Sequence, residues 1–383
     1  MPPIPLLLSA GETSGDMYAA RLATALRSRL DVALFGMGGA QMRAAGVDVV
    51  TDYSEVSVVG ITEILSHLPS LVRAMRRLVS EAERRKPIFS ILTDFPGFHL
   101  RLARKLRPLG VRNIYYICPQ FWAWRPWRVR VVRRRFAQAL CIFPFEEKFY
   151  TDAGVPTRFI GHPLVGTVKA SQDRREFCKQ QNLDPDQPIV SLLPGSRSAE
   201  IGQHLPLIRQ AAVLIHQRQL AQFVVAAAPG SNTDGLRTGW DPALKVRVVQ
   251  GQTYNVLSAA DAAIVSSGTA TVEATLLNVP MVVVYRVTPL TALLAKPLVR
   301  TSYFSMVNLI AGRRVVPELI QKEFTPQRVA DTVLHLLRDS RASEEMRSGL
   351  ADVRQRLGLP GAVERAADTI VSLLRTGTAT GNT

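Results

Sequence analysis

Ser191-Leu-Leu-Pro-Gly-Ser-Arg-Ser-Ala-Glu200 decides the fold, because it joins an apolar run to a turn built for an anion. The run 189–193, Ile-Val-Ser-Leu-Leu, has the near-continuous apolar character of a parallel strand buried on both faces, and Pro194-Gly195 stops it. Downstream, Ile201, Leu205, Ile208, Ala212 and Ile215 recur at the spacing of one helical face. The helix therefore starts near residues 196–198, leaving its first N–H groups and the positive end of its dipole at the strand's carboxyl edge. Such an end seats phosphate. Arg197 stands on that turn, where its planar charged fork suits a bidentate clamp on a diphosphate. Taken alone, the stretch is equally an ordinary strand, turn and helix with a solvated arginine.

The same alternation extends in both directions. Apolar runs at 4–9, 32–36, 88–92, 113–117 and 139–143 read as strands of one parallel sheet, with crossover helices between them. Runs at 189–193, 223–227, 246–249, 262–265 and 281–285 read as a second sheet. Its fourth strand opens into Ser266-Ser-Gly-Thr-Ala-Thr-Val-Glu273, small hydroxyl residues ahead of a helix and a further seat for an anion or a ribose. The switch point between those two strands is the natural crevice of such a sheet. At the other end of the chain, the first strand runs into Gly11-Glu-Thr-Ser-Gly-Asp16, which departs from the G-x-G-x-x-G fingerprint and so indicates no nicotinamide or flavin. Its two acids suit sugar hydroxyls better than phosphate.

The chain has 383 residues, enough for two domains, with 47% hydrophobic residues. Mean hydropathy is +0.08, and no apolar run has the length of a membrane span. The amino terminus has no basic flank before its short apolar run, so it reads as a first strand rather than a signal peptide, which places the protein in the cytoplasm. Cys118, Cys141 and Cys178 fall at no disulfide or zinc spacing, and no metal ligand set is expected. A net charge of +16 favours polyanions, whether nucleic acid, anionic lipid or phosphorylated substrate.

Two segments concentrate that charge. Residues 64–85 set Leu68, Leu71, Val72, Met75 and Leu78 against Arg73, Arg76, Arg77, Arg84 and Arg85, a pattern for a helix resting on an anionic membrane or for a surface helix packing on the sheet. Phe121-Trp-Ala-Trp124 is followed by Arg125, Arg128, Arg130 and Arg133 to Arg135, an interleaving that suits a membrane interface, an amphipathic ligand or single-stranded nucleic acid. At least one of those rings belongs in the core. Residues 169–187 are polar and read as a linker, which gives domains at 1–168 and 169–350 and a C-terminal helical segment at 351–383 with a frayed end.

In order, Ala10-Gly-Glu-Thr-Ser-Gly-Asp16, Val59-Gly-Ile-Thr-Glu63, Trp122-Ala-Trp-Arg125, Pro144-Phe-Glu146, Phe159-Ile-Gly-His-Pro163, Leu193-Pro-Gly-Ser-Arg197, Ser267-Gly-Thr-Ala270, Pro280-Met-Val-Val283 and Asn308-Leu-Ile-Ala-Gly312 resemble the lipid-A-disaccharide synthases. The resemblance implies an inverting glycosyltransferase of GT-B fold, two Rossmann-like α/β domains with a cleft between them. It implies transfer of 2,3-diacylglucosamine from UDP to the 6-hydroxyl of 2,3-diacylglucosamine 1-phosphate, with no metal. Gly195, Ser196, Arg197, Ser198, Ser267, Gly268, Thr269, Glu273 and Asn308 would then hold the UDP-sugar, and Asp94 would be the base. Glu12, Ser14 and Asp16 would shape the acceptor pocket, and His162 would line the cleft. The family reads a second carboxylate where this chain has Gly97, inside Asp94-Phe-Pro-Gly-Phe-His99, which leaves His99 as a substitute partner or merely a polar neighbour.

Acylated substrates also give the basic surface a use: peripheral docking on the inner face of the cytoplasmic membrane, with Leu68, Leu71, Arg73, Arg76, Arg77, Trp122, Trp124 and Arg128 as docking residues. In GT-B folds the last helix often crosses back to the first domain, and its exchange between protomers would make a homodimer. Two other readings stay open at this stage. One is a different UDP-N-acetylglucosamine enzyme of the same architecture, a 2-epimerase or a lipid-linked transferase. The other is a nucleic-acid-binding protein, which would leave the two nucleotide seats unexplained.

Overall fold

The computed structural model describes residues 2–56, 68–228, 233–288 and 301–379. The chain divides into two compact units, one running to Pro163 and resuming at Gly358, the other spanning Leu164–Leu357. The first unit holds β1 (Ile4–Ala10), β2 (Val32–Gly38), β3 (Asp48–Asp52), β4 (Phe89–Thr93), β5 (Arg112–Tyr116), β6 (Gln138–Cys141) and β7 (Thr157–Phe159). Between them lie α1 (Thr13–Arg27), α2 (Ala40–Ala44), α3 (Leu68–Arg85), α4 (Pro96–Leu106), α5 (Val129–Arg135) and α6 (Pro144–Asp152). The second unit holds β8 (Ile189–Leu193), β9 (Gln222–Ala227), β10 (Val246–Gln250), β11 (Ala262–Ser266), β12 (Met281–Tyr285) and β13 (Glu318–Ile320). Its helices are α7 (Arg174–Gln181), α8 (Ser198–Arg218), α9 (Asp234–Arg237), α10 (Thr253–Ser258), α11 (Thr269–Leu276), α12 (Met306–Ala311), α13 (Pro326–Arg338) and α14 (Ser340–Arg356). A last helix, α15 (Ala362–Ala379), belongs to the first unit.

Each sheet is parallel and doubly wound. The first runs β3-β2-β1-β4-β5-β6-β7 and the second β10-β9-β8-β11-β12-β13, so the direction of winding reverses between β1 and β4 and again between β8 and β11. Central strands are buried on both faces, as Leu6, Leu7, Leu8 and the whole of β8 show, which is why they read as unbroken apolar runs. Three strands escape that signature. β3 and β13 are edge strands with acidic residues at their ends, and β13 and β7, the other edge of the first sheet, have only three residues each.

Two expected boundaries move. The polar stretch 169–187 contains α7, capped by the Asp173 side chain, which accepts from Glu176 N–H at 2.9 Å, and seated on buried Phe177 and Cys178. Arg174 ties it to the second unit through a fork on Asp261, at 2.8 and 3.0 Å. Residues 351–356 complete α14, and Leu357 closes the second unit. From Gly358 the chain joins the first unit, where α15 packs on α1 with Ala366, Ala367 and Ile370 fully buried. The Arg29–Asp368 pair at 2.7 Å and an Arg158 to Thr369 hydrogen bond at 2.9 Å pin it there.

Candidate active site

In the second unit the switch point lies between the carboxyl ends of β8 and β11. β8 ends in Pro194 and Gly195, whose φ of 122° is open to glycine and strained for other residues. Arg197 is the N-cap of α8 but its side chain makes no capping bond, so the first N–H groups of a 21-residue helix face outward beside exposed Ser196, Arg197 and Ser198. Arg197 reaches Glu200 at 3.5 Å, and its own side chain is 63% exposed at the turn. Beneath it, buried His204 donates from Nδ1 to the Pro194 carbonyl at 2.8 Å and accepts the Arg286 N–H on Nε2 at 2.9 Å. That histidine ties the end of β8 to the end of β12.

β11 ends at Ser266, and Ser267 and Gly268 lead into α11. Gly268 has φ of 151°, and Ser267 Oγ donates to the Phe304 carbonyl at 3.2 Å. Along α11, burial pushes the Glu273 carboxyl up to about 7, against the Tyr254 hydroxyl, which donates to it at 3.2 Å and pulls it down. Asn308 is fully buried. Its amide donates to the Val316 carbonyl and to Glu318, and its oxygen accepts from the Val315 and Val316 N–H groups. With its polar atoms engaged inward, Asn308 shapes the 304–318 loop rather than presenting an amide at the surface.

The first unit turns its chain in a different way. β4 ends at Thr93, and Asp94 and Phe95 both adopt left-handed backbone, φ 49° and 46°, a costly conformation for two successive non-glycine residues. The elbow is held from inside. The Asp94 carbonyl accepts from Tyr115 Oη at 3.0 Å and from His99 Nδ1 at 2.8 Å. His99 Nε2 therefore accepts from Ser9 Oγ, at 2.8 Å, and burial lowers the imidazole pKa to about 4. His99 partners the backbone of Asp94, not its carboxylate. Gly97 lies exposed with open space where a Cβ would stand, so nothing steric excludes a second carboxylate there.

Across the switch point, β1 runs into Gly11, on which a Cβ would overlap the Phe95 ring; the two loops therefore touch only because residue 11 is glycine. Glu12 and Ser14 lie toward the open side, at the start of α1. Asp16 does not. It is buried and accepts the N–H groups of Gly39, Gln41 and Met42, at 2.7, 3.1 and 3.3 Å, so its charge is spent on the start of α2. His162 is buried against the Phe143 ring, 5.4 Å between centroids, and burial lowers its pKa to about 3.

A carboxyl absent from the expected set lies close by. Glu146, on α6, is fully buried and accepts Trp122 Nε1–H at 3.0 Å and the Phe143 and Ile142 N–H groups at 3.2 and 3.3 Å. Burial pushes it up to about 8 against those hydrogen bonds, and the charge of Asp94 adds to the upward push.

The basic helix α3 packs as a surface helix: Leu78, Ala74 and Ala82 are buried, with Leu71 and Met75 against the same core. Val72 instead is 42% exposed, on the side of exposed Arg73, Arg76 and Arg77. Arg84 and Arg85 are occupied by Glu81, and Arg85 also by Asp48. The motif at 59–63, the expected start of this helix at 64–67 and the Leu68 side chain lie outside the described residues. In the second basic segment Phe121 is the core ring, fully buried. Trp124 and Trp127 flank the Arg128 guanidinium at 5.8 and 5.6 Å, and Trp127, not anticipated, is 60% exposed.

Over residues 6–366 the chain matches the family model described as Lipid-A-disaccharide synthetase. It is 44% identical to the lipid-A-disaccharide synthase of Solibacter usitatus over 376 residues, 96% of this chain and 97% of that protein. The chain belongs to the lipid-A-disaccharide synthase family. The corresponding synthase of Myxococcus xanthus is also 44% identical, over 97% of this chain and 98% of its own. Among solved structures, the UDP-GlcNAc 2-epimerase of Neisseria meningitidis bound to UDP-GlcNAc aligns over 96% of this chain and 100% of its own, with a TM-score of 0.67 and 11% identity. At that identity the likeness is one of fold, and the fold is GT-B. Membership of the synthase family makes this chain a hexosyltransferase and favours that reading over the epimerase and the nucleic-acid binder.

Proposed function

We propose that the chain transfers 2,3-diacylglucosamine from UDP-2,3-diacylglucosamine to the 6-hydroxyl of 2,3-diacylglucosamine 1-phosphate, releasing UDP and forming the β-1,6 disaccharide 1-phosphate. The observation that carries the assignment of roles is the pair of switch points, one presenting an arginine and open N–H groups, the other a carboxylate on a strained elbow. In this reading Asp94 takes the proton of the acceptor 6-hydroxyl as its oxygen attacks the anomeric carbon. The bond to UDP breaks on the opposite face, and the electron pair leaves with the diphosphate. Arg197 and the first N–H groups of α8 meet the charge building on that diphosphate, with Gly195, Ser196 and Ser198 shaping the seat. Ser267, Gly268, Thr269 and Glu273 serve the nucleoside side, and Glu12, Ser14 and His162 the acceptor side. No metal enters the scheme, so turnover should survive excess EDTA.

The test is incubation of both acylated substrates with wild type, Asp94→Asn and Arg197→Ala, following UDP and disaccharide by mass spectrometry. Full turnover by Asp94→Asn would remove the base assignment. No disaccharide from wild type would remove the reading as a whole.

Both substrates carry acyl chains, and no helix among the described residues is long and apolar enough to cross a membrane. We infer peripheral docking through Val72, Arg73, Arg76 and Arg77 on α3 and through the Trp124, Trp127 and Arg128 stack. Reversal of Arg73, Arg76 and Arg77 to glutamate should weaken binding to anionic liposomes. Unchanged binding across a salt titration would take α3 out of that surface.

A further inference from the structure

The loop that follows β5 is held under strain. Ile117 and Arg125 both have left-handed backbone, φ 59° and 57°, and the first is β-branched, so the intervening turn persists only because its surroundings impose it. The start of the loop borders the elbow of the candidate base, since Asp94 N–H donates to the Tyr116 carbonyl at 3.3 Å. α6 holds the loop at three places. Tyr150 Oη donates to the Pro119 carbonyl at 2.6 Å, the Phe145 ring meets the Trp122 ring edge-on at 4.7 Å, and Glu146 accepts the indole N–H.

Glu146 does more than a helix start requires. One of its oxygens reaches back to Phe143 N–H, the bond of a capping box, and glutamine would make that bond equally well. The other oxygen takes Trp122. A carboxyl keeps a lone pair on each oxygen whether or not it holds a proton, whereas a glutamine has one acceptor and would turn an NH2 toward one of the donors. The position therefore demands a carboxyl only for the sake of the tryptophan. Burying one beside Asp94, with no ion pair among the described residues, is costly for stability and characteristic of a working site. Its capture of the indole N–H leaves the half-buried Trp122 ring with only hydrocarbon to present.

We propose that Glu146 is a positioning residue for the acceptor: through the Trp122 indole it sets the 122–125 turn of the loop that starts at the Asp94 elbow, and the acceptor binds against that turn. The proposal rests on reading the Asp94 side as the acceptor side. Its test compares wild type, Glu146→Gln, Trp122→Phe and the double variant, by calorimetric binding of 2,3-diacylglucosamine 1-phosphate in detergent and by steady-state kinetics. Trp122→Phe keeps a ring and deletes the N–H. Each single variant should weaken acceptor binding and raise acceptor KM about tenfold, the scale of one buried donor left unpaired. The KM for the UDP-sugar should stay within about twofold, and the double variant should be no worse than the weaker single one. Additive losses, equal rises in both KM values, or wild-type acceptor affinity in Glu146→Gln would overturn it. A wild type that binds no acceptor would instead overturn the assignment of the Asp94 side.

Discussion

The two units wind their sheets in the same order and finish their central strands in opposite ways. In the second unit, glycines at 195 and 268 carry the turns at β8 and β11, and the backbone itself is left facing solvent with its N–H groups. In the first unit, the turn at β4 is made by Asp94 and Phe95, and His99, Tyr115 and Ser9 are recruited to hold it. A diphosphate is large, charged and satisfied by many donors, so a compliant turn at a helix end serves it. A general base must place one oxygen within hydrogen-bond reach of one proton, and a rigid, internally braced elbow serves that. Under the proposed roles, the same topology serves as a cradle in one unit and a fixed point in the other.

The sharpest way to break this comparison is kinetic. Asp94→Asn should lower kcat by roughly 10²–10⁴-fold with little change in either KM. Arg197→Ala should cost roughly 10²–10³-fold in kcat/KM for the UDP-sugar and weaken inhibition by UDP. If the two variants showed the same pattern, the division of labour between the units would be wrong. Next in size, Gly11→Ala should destabilise the first unit by about 2 kcal/mol, because the added methyl meets the Phe95 ring, and chemical denaturation would read the loss. Gly268→Ala meets no atom and carries only the strain of its backbone, so it should cost about 1 kcal/mol.

Proton linkage separates the units again. His99 and His162 hold folded pKa values of about 4 and 3 against an ordinary 6.5, so the unfolded chain binds protons first as pH falls. Stability of the first unit should therefore decline as pH drops from about 6.5 through 4. Glu146 and Glu273, raised to about 8 and 7 from 4.5, act in the other sense. There the folded state binds the proton more tightly, and stability falls as pH rises from about 4.5 through 8 for the first unit and through 7 for the second. Denaturation midpoints across pH 4–9 should show that decline flattened in Glu146→Gln. The smallest effect is a gain: Gly97→Asp places a carboxylate in the first turn of α4, in open space, and should add about 1 kcal/mol with kcat within about threefold of wild type.

What could be read from the sequence followed from where the physics is local. Buried parallel strands are apolar on both faces, so every central strand announced itself, whereas β3 and β13, polar at the sheet edges, and the three-residue β7 did not. The seat at 195–198 was visible because Pro194-Gly195 and a helical stripe bracket it. The resemblance implies pocket roles for Asp16 and Asn308, but a motif matched along the chain does not say which way a side chain points, and both point inward. Glu146, Tyr254 and His204 act through partners 24, 19 and 82 residues away, and nothing local marks such bonds. For Glu146 alone there was a hint, its place three residues into a helix that starts with proline.

The return of α15 to the first unit has a consequence for how the molecule is made. The surface of α1 that receives Ala366, Ala367 and Ile370 is finished some 340 residues before its cover is translated, so during synthesis that apolar face waits bare while the other unit is spun out and folds. A stop codon near the 3′ end of the message would spare the second unit and strike the first, whose strands leave the ribosome earliest.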